Sequence, residues 1–264
     1  MNKFKSLFSL KGLEVFIIGG SGLIGSEIVK ALLEFDAKVT VFDINIRNKI
    51  IHSKLKYVKF NCTKEEAIKK FFDNFLKKNR CPDVFINASY PATNDWTKNN
   101  FKEIYYETYK KNIEFHLNSY VWLAKIIADH MVSKNIEGSI IQLSSIYGLV
   151  AQDDWLYQKT NIKENMTYGI IKSATIHHLK QIASYYGKHK IRANTLVIGG
   201  VQGHIKGSKK KQDRNFLKKF NSKVPLKRMC ESDEIPASVI FLASKASSYI
   251  TGSNIVIDGG YTII

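Results

Sequence analysis

The stretch from Leu13 to Leu33 most restricts the folds open to this chain. Leu13-Glu14-Val15-Phe16-Ile17-Ile18 is a short β-type run, the glycine-rich turn Gly19-Gly20-Ser21-Gly22-Leu23-Ile24-Gly25 follows directly, and apolar residues then recur at helical spacing through Leu32 and Leu33. A strand that runs straight into a glycine turn and a helix is the first half of a βαβ unit, which needs a parallel sheet to return to. Six further apolar runs read as strands: Lys38 to Asp43, Tyr57 to Phe60, Asp83 to Ile86, Ile140 to Leu143, Ile191 to Val197 and Asn254 to Ile257. Helical patterns lie between them, among them one capped by Thr63, two segments within Phe101 to Met131 and one over Glu234 to Leu242. The alternation predicts an α/β fold, a doubly wound parallel sheet of about seven strands with helices on both faces. No linker, repeat or break in composition divides the 264 residues, so one domain over 1–264 is expected.

A glycine turn in this position suits a dinucleotide. Its bare backbone lets a pyrophosphate approach, and the amide groups at the following helix N-terminus meet the charge, which makes Gly19, Gly22, Leu23, Ile24 and Gly25 the candidate contacts. The next strand ends in Asp43, whose carboxylate accepts hydrogen bonds from adenosine ribose hydroxyls and repels a 2′-phosphate. NAD is therefore expected over NADP, with Arg47 nearby as a residue able to tolerate the phosphate. Asn61, after the third strand, is a candidate adenine contact, and the small residues after Asn87, beginning with Ala88, leave room for ribose and nicotinamide.

The second chemical signal is Tyr168-Gly169-Ile170-Ile171-Lys172, preceded by Ser145 at the end of an apolar strand. Residues four apart share a helix face, so a phenol and an ammonium can point into one site. A free phenol titrates near 10, and a cation a few ångströms away favours phenolate. Tyr168 is then expected to exchange a proton with a hydroxyl or carbonyl, and Ser145 offers its own hydroxyl at the strand end.

Taken in order, GGSGLIG at 19–25, Asp43, the Asn87 segment, Ser145 with YGIIK at 168–172, and TGSNIVIDGG at 251–260 make the chain resemble the compact, single-domain branch of the short-chain dehydrogenase/reductase family over almost its whole length. The resemblance implies a Rossmann fold and NAD(P)-dependent hydride transfer. It implies Tyr168 as acid/base, Lys172 on the cofactor ribose, Ser145 on the reacting oxygen, Asn87 beside the cofactor, and Gly199, Gly200 and Val201 on the nicotinamide side. A homodimer or homotetramer is implied as well. Two features depart from the family pattern. The glycines are spaced G-x-x-G-x-x-G, as in the longer epimerase branch, and His116 falls where the family places an asparagine that completes a proton relay, with Asn112 one helical turn earlier as the other candidate.

The same motifs, with a long polar insertion from Gln152 to Asn165, resemble oxidoreductases of bacterial surface-glycan pathways, including flagellin modification and nonulosonic acid synthesis. That points to a sugar or sugar phosphate as the small-molecule substrate. Residues 203–228, with Lys206, Lys209, Lys210, Lys211, Arg214, Lys218 and Lys219, occupy the family's substrate-flap position, and a cationic flap favours an anionic sugar derivative. A catalytically idle member that senses NAD or scaffolds a partner is the competing reading.

The formal charge of +17 admits nucleic acid, an anionic membrane or phosphorylated ligands as partners, but lysine is spread through the chain and no nucleic-acid reader motif accompanies it. Nucleic acid is not expected as a partner. Three cysteines without metal-ligand spacing predict neither a disulfide framework nor a metal site. No run reaches membrane-spanning length and no export signal opens the chain, so a cytoplasmic protein without membrane contact is expected.

Overall fold

The computed structural model describes residues 3–46, 49–203 and 212–264. Seven strands, β1 (Glu14–Ile18), β2 (Lys38–Asp43), β3 (Leu55–Lys59), β4 (Val84–Asn87), β5 (Ser139–Ser145), β6 (Arg192–Ile198) and β7 (Asn254–Ile257), form one sheet in the order β3-β2-β1-β4-β5-β6-β7. Every pairing is parallel. Around it run α1 (Lys3–Ser6), α2 (Leu23–Glu34), α3 (Glu65–Phe75), α4 (Tyr106–Asn112), α5 (Ser119–Ser133), α6 (Asp154–Tyr157), α7 (Met166–Tyr186), α8 (Arg214–Lys223) and α9 (Pro236–Ala243). The strand order reverses between β1 and β4, which opens a crevice at their carboxyl ends.

Period-two alternation sends the strand side chains to two cores. Val15 and Ile17 of β1 join Ile28 and Leu32 of α2 and Val239 of α9. Phe16 and Ile18 join Phe42, Ile68 and Phe72 of α3, Leu123 and Ile127 of α5, and Leu179 of α7. The helix contributions recur three or four residues apart, the stripe that an α-helix turns to a sheet. Phenylalanines fill the second core edge to face, Phe42 lying 5.1 Å from Phe16 and 6.1 Å from Phe60 between ring centroids. A third cluster, with Ile146, Leu156, Tyr157, Val197, Phe220 and Tyr261, ties α6 and α8 to the ends of β5 and β6.

Two local readings of the sequence are corrected. Thr63 does not cap α3: the cap is Lys64, which has no side-chain bond, while the Thr63 hydroxyl and amide both donate to Asn61 Oδ1 at 2.8 and 3.0 Å. The first of the two helical segments expected from Phe101 begins only at Tyr106; the division into two is found, with a π-helical turn at Ile113–Asn118 between α4 and α5. Arg47 and, within the expected flap, Lys206, Lys209, Lys210 and Lys211 lie outside the described residues.

Candidate active site

The glycine turn is wedged between the ends of its neighbouring strands. The Gly19 amide donates to the Phe42 carbonyl and the Ala88 amide to the Ile18 carbonyl, each at 2.9 Å. Gly19 has φ +78°, and a Cβ there would lie 2.7 Å from the Ser89 backbone. At Gly25 a Cβ would come within 2.1 Å of the Gly19 carbonyl oxygen, so helix and turn meet backbone to backbone. In front the turn is open: at Gly22 an added Cβ would meet only the Gly19 oxygen, at 3.3 Å. Gly22 caps α2 without any side-chain bond, which leaves the first-turn amides, those of Leu23, Ile24 and Gly25 among them, to an outside acceptor. The Ile24 side chain packs into the core and that of Leu23 lies 3.1 Å from where a Gly203 Cβ would be. The chain leaving β6 thus returns against the turn.

Asp43 closes one side of this crevice. Its carboxylate accepts from the Ser21 amide at 3.0 Å and the Asn45 amide at 3.1 Å, which fixes it beside the turn. Asn61 follows Phe60, whose amide bonds the Asp43 carbonyl at 2.9 Å. On the other side Asn87 is fully buried; its Oδ1 accepts from the Ser89 amide and hydroxyl at 3.1 and 2.7 Å, and its Nδ2 finds no acceptor among the described residues. Gly199 is held against β7 by its amide bond to Ile257 at 2.9 Å, and Val201 forms a bridge with Cys230. An uncapped helix start, an open glycine turn, an anchored carboxylate and an orphaned buried amide fit a dinucleotide with a pyrophosphate at Gly22 to Gly25.

Ser145, Tyr168 and Lys172 come together at the carboxyl end of β5. Asn165 caps α7 by accepting from the Tyr168 amide at 2.9 Å, so the tyrosine rides on the helix's first turn. Lys172, one turn on, is 3 % exposed; its Nζ donates to the Leu143 carbonyl at 3.1 Å and sits 5.6 Å from the Tyr168 ring centroid and 4.7 Å from that of Tyr120. Burial raises the Tyr168 pKa above the ordinary phenol value, opposed in part by the neighbouring Ser145 hydroxyl. Burial pushes Lys172 down to about 7. The expectation that the lysine makes the phenol acidic is therefore corrected: both groups are desolvated, and burial disfavours phenolate and ammonium alike.

The two candidates for the relay position differ in their hydrogen bonding. Asn112 is buried and fully engaged, its Oδ1 accepting from the Thr93 amide at 3.1 Å and its Nδ2 donating to Thr93 Oγ1 at 2.8 Å and the Thr108 carbonyl at 2.9 Å. His116 lies in the π turn, fully buried, with no partner for either ring nitrogen among the described residues. Burial, with the Lys172 charge as a smaller cause, holds its pKa well below the usual imidazole value, so it is neutral. Its ring centroid lies 6.5 Å from that of Tyr168 and 5.3 Å from that of Tyr90.

The aromatic wall around the phenol was not among the residues singled out from sequence. Trp96 and Tyr90 stand 6.1 and 5.7 Å from Tyr168, and Tyr147 stands 6.5 Å away. Tyr147 lies two residues after Ser145, and that spacing was the available signal. Trp96 had only its isolation in a polar stretch. Part of the basic segment is engaged with the 152–165 insertion. Lys219 donates to the Trp155 carbonyl at 2.7 Å and lies 5.0 Å over the Trp155 ring, and Lys223 pairs with Asp153, so α8 is fastened to the 152–165 insertion.

The family model described as enoyl-(acyl carrier protein) reductase matches residues 21–262. A post-translational flagellin modification protein A from Campylobacter coli is 28 % identical over 94 % of this chain and 97 % of its own. The ribulose-forming D-arabinitol 2-dehydrogenase of Scheffersomyces stipitis is 28 % identical over 96 % of this chain and 95 % of its own. Among solved structures, a short-chain dehydrogenase from Leptospira borgpetersenii with bound NAD+ superposes with a TM-score of 0.85 at 28 % identity, covering 99 % of this chain and 96 % of that one. The match of family model, sheet order and relatives over nearly every residue places the chain in the short-chain dehydrogenase/reductase family of NAD(P)-dependent oxidoreductases.

Proposed function

We propose that the protein moves a hydride between NAD and the secondary alcohol or ketone of a sugar or sugar phosphate, in surface-glycan biosynthesis in the cytoplasm, as a homodimer or homotetramer. The observation that carries the reading is the arrangement at the β5 end, where the Lys172 ammonium donates to the Leu143 carbonyl at 3.1 Å and lies 5.6 Å from the Tyr168 ring, which stands 6.5 Å from that of Tyr147, two residues after Ser145. Preference for NAD rests on Asp43, fixed by two backbone amides next to that turn. The carbohydrate end of the reading is supported by relatives named for flagellin modification and for D-arabinitol oxidation. Its anionic form is supported by Arg214 and Lys218 on α8 and by the lysines from 206 to 211.

The nicotinamide, when bound, supplies the hydride acceptor or donor. The chain's residues handle orientation and the proton. Ser145 holds the reacting oxygen by a hydrogen bond. Tyr168 takes the hydroxyl proton in oxidation and returns it to the carbonyl oxygen in reduction. Lys172 holds the ribose. Neutral His116, with one ring nitrogen to donate and one to accept, passes the proton on through water toward Lys172.

The test is a fluorescence titration with NADH and NADPH, followed by nicotinamide absorbance assays on a panel of sugars, sugar phosphates and polyols in both directions. NADH binding tighter than NADPH, with turnover of a carbohydrate, is the expected result. Tight NADH binding without turnover of any panel member would favour a catalytically idle sensor.

A further inference from the structure

Asn99, in the loop between β4 and α4, is fully buried, and its carbonyl and Oδ1 accept from the segment that carries Tyr168 while its Nδ2 donates within its own. Its backbone carbonyl accepts from the Met166 amide at 2.9 Å. Its side-chain Oδ1 accepts from Thr167 Oγ1 at 2.9 Å and from Asn112 Nδ2 at 3.3 Å. Its Nδ2 donates to the carbonyls of Trp96 and Asp95 at 3.1 and 3.3 Å. Asn165 reinforces the junction, donating from Nδ2 to the same Trp96 carbonyl at 3.1 Å while its Oδ1 takes the Tyr168 amide.

Two segments separated by 68 residues are thereby joined at their functional ends. One presents the Trp96 indole and the other the Tyr168 phenol, 6.1 Å apart between centroids. The first turn of a helix has amides without intrahelical partners and is where helices open first. Tyr168 sits in that turn, so the position of its ring depends on what holds Met166 and Thr167. An amide side chain meets the requirement because it accepts on one side and donates on the other. A carboxylate lacks the donor, and an aliphatic side chain lacks both.

We propose that Asn99 is a positioning residue for the reaction: it clamps the first turn of α7 to the Trp96 segment, so that the aromatic wall and the acid/base phenol keep one fixed separation. The inference rests on the reading of Tyr168 as the proton-transferring group. It adds a residue that touches neither reacting atoms nor cofactor.

The test uses Asn99→Ala and Thr167→Val, the second removing one bond of the clamp at nearly constant volume. Two readouts need no identified substrate: exchange of the Met166 to Tyr168 amides by mass spectrometry, and ultraviolet difference titration of the phenolate, assigned to Tyr168 by subtracting Tyr168→Phe. In both variants exchange at this turn is expected to quicken at least tenfold relative to β5. The Tyr168 midpoint is expected to fall toward the ordinary phenol value as water reaches the ring, with the NADH Kd within twofold of wild type. Should Asn99→Ala fail to fold, Thr167→Val decides alone. Folded variants with unchanged exchange and midpoint, or a loss confined to the global melting temperature, would overturn the clamp. Undiminished turnover in Tyr168→Phe would instead overturn the functional reading and leave the exchange result standing.

Discussion

With its ammonium buried and held by one hydrogen bond to the Leu143 carbonyl, Lys172 sets how the site responds to pH. Burial holds it at about 7, well under the ordinary lysine value of 10.5. Between those two values the unfolded chain keeps a proton that the folded chain has released, so stability rises with pH across that window. Lys172→Met removes the effect. Urea unfolding is expected to find this variant more stable than wild type near neutrality, with the advantage shrinking as the pH approaches about 10; a gap that does not change with pH would contradict the placement. Asp43 makes a separate prediction. On the proposed reading its anchored carboxylate meets the ribose hydroxyls, and a hydrogen bond to a charged group is worth about 1.5–3 kcal/mol. Asp43→Ala should weaken NADH binding by roughly ten- to a hundredfold and narrow its advantage over NADPH in a fluorescence titration.

Among the elements, the insertion and α8 behave as one piece. Lys219 and Lys223 lie 5.0 and 6.0 Å over the Trp155 ring, with Lys223 paired to Asp153 and the Asn161 amide bonded to Asp213 at 3.0 Å. Each exposed cation–π contact is worth about 0.5–1 kcal/mol. Trp155→Ala should therefore free α8 about tenfold more often, seen as faster limited proteolysis between 152 and 223 and a raised KM for substrate, with NADH binding unchanged. This fastening could not be read from sequence. A run of lysines shows its charge but not that Asp153 and Trp155, more than sixty residues earlier, engage part of it. The strands were legible because apolar runs between turns leave few alternatives, and β2 and β7 fall where their residues predict. The π turn was not: over the six residues Ile113–Asn118, a period of 3.6 and a wider one place nearly the same residues inward. The different surroundings of Asn112 and His116 were not legible either, because hydrogen-bond partners arise only once Thr93 and Thr108 surround the asparagine. Tyr168 and Lys172 were legible as neighbours on a face, whereas the sign of the phenol's shift depended on burial that spacing does not reveal.

At the scale of the whole molecule, the sheet order does the assembling. Placing β1 between β2 and β4 brings Gly19, Asp43 and Asn87, far apart in the chain, to one edge, and pairing β5 with β4 sets Ser145 and α7 beside them. Among the described residues no helix is long and apolar enough to cross a membrane. Trp122 on α5 and Ile170 and Tyr185 on α7 stay exposed at 45, 43 and 64 %. The proposed homodimer or homotetramer predicts that light scattering of the purified protein gives two or four times the chain mass; a monomer at micromolar concentration would count against that arrangement. The most direct measurement compares wild type and Tyr168→Phe for NADH binding and for reduction of the best keto-sugar in the panel. Equal NADH affinity with a rate lower by about 10²–10⁴-fold is expected if the phenol carries the proton. A phenylalanine variant that binds NADH and turns over at the wild-type rate would contradict that role.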